Sequence, residues 1–146
     1  MDTILDFLGS DHRLCDELFA SAQAAVTQRD WDSARGGFDR FHAAMQRHLA
    51  REENVLFPAF EARTANAMGP TQVMRMEHAR MRRLLQDMAR AAADEDHSRY
   101  LCLAATLLML MQQHNLKEEE LLFPMIDLML EDEHADLIGA MQGIGA

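Results

Sequence analysis

Apolar side chains recur at three- and four-residue spacing along most of the chain, the period of helices with one buried face. Ile4, Leu5, Leu8, Leu14, Cys15, Leu18 and Phe19 set that rhythm in a first helix, which Asp2 can cap and which runs to about Gln28. Asp30 caps a second helix from Trp31 to about Ala62; the Gly36-Gly37 pair is expected to interrupt it and Pro58 to bend it. Thr64 to Gly69 reads as a loop. Pro70 suits the first turn of a third helix, which continues to about Ala93. Asp94, Glu95 and Asp96 form the next turn, and a fourth helix extends to about Leu130. A tail helix from about Asp132 to Gln142 ends at Gly143. Short connections make neighbours antiparallel, so the pattern predicts an all-α, up-down-up-down four-helix bundle with a short C-terminal helix.

Composition agrees with one helical domain over residues 1–146: Ala, Leu, Met, Glu, Arg and Gln dominate, and there are only 7 glycines and 3 prolines. Fourteen basic residues against 24 acidic ones leave a formal charge of −10, which argues against nucleic acid or an anionic membrane as partner. Two cysteines, Cys15 and Cys102, make no disulfide framework and fit a reducing compartment. No basic stretch precedes an apolar one at the N-terminus, so no secretory signal is read. The longest apolar run, Tyr100 to Met111, is broken only by Thr106 and is too short to span a bilayer. A soluble, cytoplasmic protein is expected. Its 7 histidines and 12 methionines are both more than a chain this short usually carries.

Sliding the sequence by 66 residues superposes two of its stretches. Met45-Gln46-x-His48-x-x-x-Glu52-Glu53-x-x-Leu56-Phe57-Pro58 falls on Met111-Gln112-x-His114-x-x-x-Glu118-Glu119-x-x-Leu122-Phe123-Pro124. The same shift carries Asp11-His12 onto Glu77-His78 and Leu18 onto Leu84. The bundle is therefore two copies of one helical hairpin. Shared packing explains the recurring Leu, Phe and Pro. It does not explain recurring His and Glu on an apolar face, where unpaired polar groups are costly.

Residues four apart on a helix lie about 40° apart around the axis and roughly 6 Å along it, so His48 and Glu52 share a face, as do His114 and Glu118. In an antiparallel hairpin two residues are level when the turn lies midway between them. The midpoint of His12 and His48 is Asp30, that of His78 and His114 is Asp96, and that of Glu52 and His78 is Ala65. All three fall in connections. Six residues, His12, His48, Glu52, His78, His114 and Glu118, therefore meet at one level. A pair of metal ions gives four imidazoles and two carboxylates a reason to be there, since carboxylates can bridge two cations. The donors suit iron, and also zinc, manganese or nickel.

These motifs resemble the hemerythrin-like, or HHE cation-binding, domains over nearly the whole chain. The resemblance implies a non-haem di-iron centre bridged by Glu52 and Glu118, with His12, His48, His78 and His114 as terminal ligands. Oxygen-carrying hemerythrins have a further histidine four residues after the third-helix one and an HxxxxD motif in the fourth helix. Here Arg82 and the HxxxE of His114 and Glu118 stand in those places. The chain looks more like the hemerythrin domain of repair-of-iron-centres proteins, which also use four histidines and two glutamates. Those proteins usually carry a cysteine-containing N-terminal domain that is not read here. The first expectation is a binder or sensor of a small diatomic ligand, O₂ or NO, at an open iron position rather than an enzyme. The alternatives are an enzyme of oxidative or nitrosative stress defence, acting in iron–sulfur repair or on peroxide or NO, with a redox or iron–sulfur protein as partner, and a structural or storage role.

The remaining polar residues have plainer expectations. His42 faces outward or packs at a seam, and His97 and His134 are solvated near helix ends. Met45 and Met111, each three residues before a histidine, should roof the site, and Cys15, three residues after His12, is expected to pack beside it as a small buried hydrophobe, with Cys102 off the ligand face. Glu53 and Glu119 can orient an imidazole N–H. Arg82 falls at the repeat position of Asp16, and the two are expected to pair across the bundle. The acidic run Glu131 to Glu133 reads as a solvated turn.

Overall fold

The computed structural model describes residues 3–65 and 69–145. Four long helical rods run antiparallel: α1 (Ile4–Thr27), α2 (Trp31–Arg51) continuing into α3 (Phe57–Thr64), α4 (Pro70–Ala93), and α5 (His97–Lys117) continuing into α6 (Phe123–Met129). A short 3₁₀ turn, Glu131–Glu133, leads into the tail helix α7 (His134–Gln142). The rods pack in ring order α1, α2, α4, α5, each on two neighbours. There is no strand among the described residues.

The repeat governs the ends as well as the motifs. Asp30 caps α2 by accepting from the Ser33 N–H at 3.3 Å, and Asp96 caps α5 by accepting from the Arg99 N–H at 3.1 Å. The residue before each cap, Arg29 and Glu95, takes the left-handed conformation with φ of 57° and 53°, which lets the chain reverse within three residues. Asp2, expected to cap α1, lies outside the described residues. Thr3 does that work, its hydroxyl accepting from the Asp6 N–H at 3.0 Å.

Two expected interruptions of the second rod take other forms. The Gly36-Gly37 pair does not break α2. A Cβ on Gly37 would stand 3.3 Å from the Ala22 Cα, so this glycine lets α1 and α2 approach closely. The bend expected at Pro58 is instead a π-helical turn, Glu52–Leu56, with the Phe57 N–H bonded to the Glu52 carbonyl five residues back. Its twin, Glu118–Leu122, bonds the Phe123 N–H to the Glu118 carbonyl in the same way. Each wide turn ends just before a proline that has no N–H to give, so the ladder changes register where a bond is lost anyway.

The apolar core forms in two parts. One cluster, with Phe19, Phe38, Phe41, Leu85 and Leu107, fills the end near the two tight turns. The other, with Ile4, Leu8, Leu56, Phe60 and Ile126, fills the opposite end and takes in Ile138 and Met141 of α7. The layer between them is polar.

Candidate metal centre

That layer holds all six residues the repeat singles out. His12, His48, Glu52, His78, His114 and Glu118 are buried, none more than 4% exposed. They form two overlapping groups, His12, His48, Glu52 and Glu118, and Glu52, His78, His114 and Glu118. Within each group one nitrogen or oxygen per residue lies inside 4.8 Å of the others. The glutamates belong to both groups. Each begins a π turn, so the wide turn sits at the point where the carboxylate enters the layer.

Every imidazole is held from outside through Nδ1. His12 bonds Glu119 at 2.9 Å, His48 bonds Asp11 at 3.0 Å, His78 bonds Glu53 at 2.6 Å, and His114 bonds Glu77 at 2.8 Å. With Nδ1 committed, Nε2 is the nitrogen left for the centre. Three of the outer carboxylates also hold a cation: Asp11 with Arg51, Glu53 with Arg82, and Glu77 with Lys117. Burial works against ionising these three carboxylates, but the imidazole and cation contacts outweigh it. Glu53 is held at about 2, and Asp11 and Glu77 lie below the usual carboxylate range.

The inner atoms are less well served. His48 Nε2, both oxygens of Glu52 and Glu118 Oε2 are buried with no hydrogen-bond partner among the described residues. Glu52 Oε1 lies 3.0 Å from His78 Nε2, but off the direction of a hydrogen bond. Burial and the neighbouring Glu118 charge raise Glu52. Glu118, although equally buried, is held low by Glu52, His114 and His12 around it. Burial opposes charging of His12 and His78, yet the surrounding glutamates raise both to about 9. Without a cation the layer must store protons to balance its carboxylates. Buried, unpartnered lone pairs gathered this closely fit a bound cation.

Above the layer is a cavity of about 10 Å³ lined by His12, His48, His114, Met45, Met111 and Cys15, among others. Met45 and Met111 thus roof the site as expected. Cys15 borders it, with burial raising its thiol to about 12, so it is an inert hydrophobe there. Cys102 is exposed.

Three expectations need correction. Arg82 does not pair with Asp16; its Nη1 donates to Glu53 at 2.7 Å, because Glu53 already reaches α4 to hold His78, one turn before Arg82. His134 is not solvated: its Nε2 lies 2.9 Å from the Asp127 carbonyl oxygen and 3.1 Å from the Asp127 side chain. His97 is half-buried, with Nδ1 enclosed. His42 is half-buried beside Phe38, away from the layer. Asp11 and Glu77 are the functional side chains that spacing alone did not assign a role. The available signal was an acidic residue next to an inner ligand candidate, repeated at the same shift.

Fold and layer together define a helical bundle built to hold cations. The family model of the hemerythrin HHE cation-binding domain matches residues 3–126, and the chain belongs to that family. No curated protein and no solved structure matches it. No helix among the described residues is long and apolar enough to cross a membrane.

Proposed function

We propose that the chain holds two iron ions and binds or senses a small diatomic ligand, O₂ or NO. His12 and His48 would serve one ion, His78 and His114 the other, with Glu52 and Glu118 shared between them. Iron supplies a redox-active Lewis acid on which a neutral diatomic can be coordinated. The observation that carries this reading is the unpartnered His48 Nε2 together with both Glu52 oxygens and Glu118 Oε2 inside a fully buried layer.

The protein's own part is to orient and to exclude. Asp11, Glu53, Glu77 and Glu119 fix the four rings by their Nδ1 atoms, which keeps Nε2 free of protons when a cation is present. Only two imidazoles are available per ion, because Arg82 is engaged by Glu53 and stays protonated. The cavity under Met45 and Met111 has room for about one water-sized molecule, which favours a diatomic over larger substrates. The four-histidine, two-glutamate set also supports the likeness to the hemerythrin domain of repair-of-iron-centres proteins.

Metal analysis with optical titration of the iron-loaded protein by NO and by O₂ tests the reading. Two irons per chain and a saturable spectral change with either gas are expected. No more than one ion under any loading condition, or zinc retained in preference to iron, would overturn the di-iron assignment. Two irons with no response to either gas would overturn the ligand assignment alone.

A further inference from the structure

The repeat duplicates a groove as well as the site, and among the described residues only one of the two grooves is filled. In the first half of the chain, α1 and the Glu52–Leu56 turn form an apolar trough in which Phe7, Leu8, Val55, Leu56 and Ala59 pack with α7. The tail helix buries Ile138 and Met141 there. Its last turn is tied down by Arg51, whose Nε donates to the Met141 carbonyl at 2.9 Å.

Adding 66 to each of these residues gives the wall of a second trough, between α4 and the Glu118–Leu122 turn. Val73 replaces Phe7, Met74 replaces Leu8, Leu121 replaces Val55, Leu122 replaces Leu56, Met125 replaces Ala59, and Lys117 replaces Arg51. Met74 and Leu122 form its buried floor, but the side chains of its rim, Val73, Leu121 and Met125, are bare. Val73 is 47% exposed where Phe7 is 8% exposed, and Leu121 is 68% exposed. Met76 and Leu128 continue the two walls at helical spacing and are 62% and 77% exposed. Isolated exposed apolar residues need no explanation, but a contiguous trough of them does.

Lys117 keeps the chemistry of Arg51. Arg51 bonds Asp11 on one side and a helix carbonyl on the other. Lys117 Nζ bonds Glu77 at 2.6 Å and is 42% exposed, so the other donors of its ammonium group face outward. A cation in that place suits the negative end of a helix.

We propose that the trough between α4 and the Glu118–Leu122 turn docks a short amphipathic helix of a partner protein. That helix would sit as α7 sits in the twin trough, with two apolar residues three apart inserted between Val73 and Leu121. Its C-terminal carbonyls would lie at Lys117. The filled twin names the occupant, since the same fold and the same side-chain chemistry already accept such a helix once.

The acetylated peptide of residues 131–144, which carries α7, is the probe, titrated into the full chain with methyl resonances followed by NMR. Saturable shifts are expected at Val73, Leu121 and Met125. Leu121→Lys should weaken binding at least tenfold while metal content and melting temperature stay as in the parent, because that side chain is mostly solvent-exposed. No saturable shift up to millimolar peptide would overturn the proposal. So would shifts confined to Phe7 and Val55, which would mean displacement of the native tail. Sedimentation of the chain alone supplies the remaining arm. A dimer that Leu121→Lys dissolves would assign the trough to a second copy and overturn the partner helix.

Discussion

Glu118 reaches His12, 106 residues earlier in the chain, at 3.0 Å, and His114, one turn earlier, at 3.3 Å. Glu52 mirrors it, 3.0 Å from His78 and 3.6 Å from His48. Each glutamate therefore joins an imidazole of its own hairpin to one of the other hairpin. Removing either should cost more than one ligand atom. Glu118→Ala is expected to lower the metal content by at least one ion per chain and to lower the melting temperature of the loaded protein. Binding to the native state stabilises it by linkage, so the loss should shrink when both proteins are stripped with chelator. Elemental analysis and calorimetry on the same samples check this.

The pH dependence of the metal-free protein should run opposite to that of the loaded one. His12 and His78 are raised to about 9 from an ordinary value of 6.5, so folding takes up protons there. Stability from these groups is complete below 6.5 and is lost as pH rises through about 9, at most about 3 kcal/mol for each ring. Ligation needs neutral imidazoles, so metal affinity should rise over that same interval and fall on acidification. Melting temperatures at pH 6, 8 and 10, with and without metal, should diverge as pH increases. A metal-free protein that becomes more stable between pH 6.5 and 9 would contradict the raised values.

The outer carboxylates are not equivalent. Glu53 holds both His78 and Arg82, whereas Glu119 holds His12 and no basic side chain of Lys or Arg among the described residues. Glu53→Gln should weaken binding of the ion proposed at His78 about 10- to 100-fold, the usual effect of losing such a partner. It also removes the low-pKa carboxylate whose stabilising effect is present above its ordinary value of 4.5 and lost as pH falls towards about 2. Glu119→Gln should act on the other ion. Stepwise metal titration of the two variants separates them.

The neighbouring glycines of α2 should respond with opposite signs. A side chain on Gly37 meets the Ala22 backbone, so Gly37→Leu is expected to force α1 and α2 apart at a cost of about 1–3 kcal/mol. A Cβ on Gly36 meets only the flexible end of Arg40, at 3.5 Å. Gly36→Ala should therefore stabilise by about 0.4–1 kcal/mol through the unfolded chain. Thermal melts of the two variants decide it.

Much of the architecture was legible because the repeat supplied its own control. Asp30 and Asp96 marked turns that could be checked against each other, and levelling His12 with His48 and His78 with His114 required no knowledge of packing. The wide turns at Glu52 and Glu118 were not legible, since a π turn changes register by one residue without a composition of its own. The partner of Arg82 was missed because repeat position locates a backbone, whereas a long side chain goes to the nearest carboxylate, here Glu53. Asp11 and Glu77 were visible beside His12 and His78, but each bonds the histidine of the adjacent helix instead.

The split core has a consequence for how the molecule opens. Phe19, Phe38 and Leu107 share no apolar cluster with Ile4, Phe60 and Ile126, because the histidine layer lies between them. Cooperative unfolding requires that the loss of one contact region weakens the next, and a polar layer with unpartnered atoms at its centre transmits that weakly. The end carrying α3, α6 and α7, packed on the first turns of α1 and α4, should exchange its amide protons by a sub-global opening that leaves the other end folded. A cation in the layer would couple the two ends, so occupancy would be read out as a change in the size of the unit that unfolds.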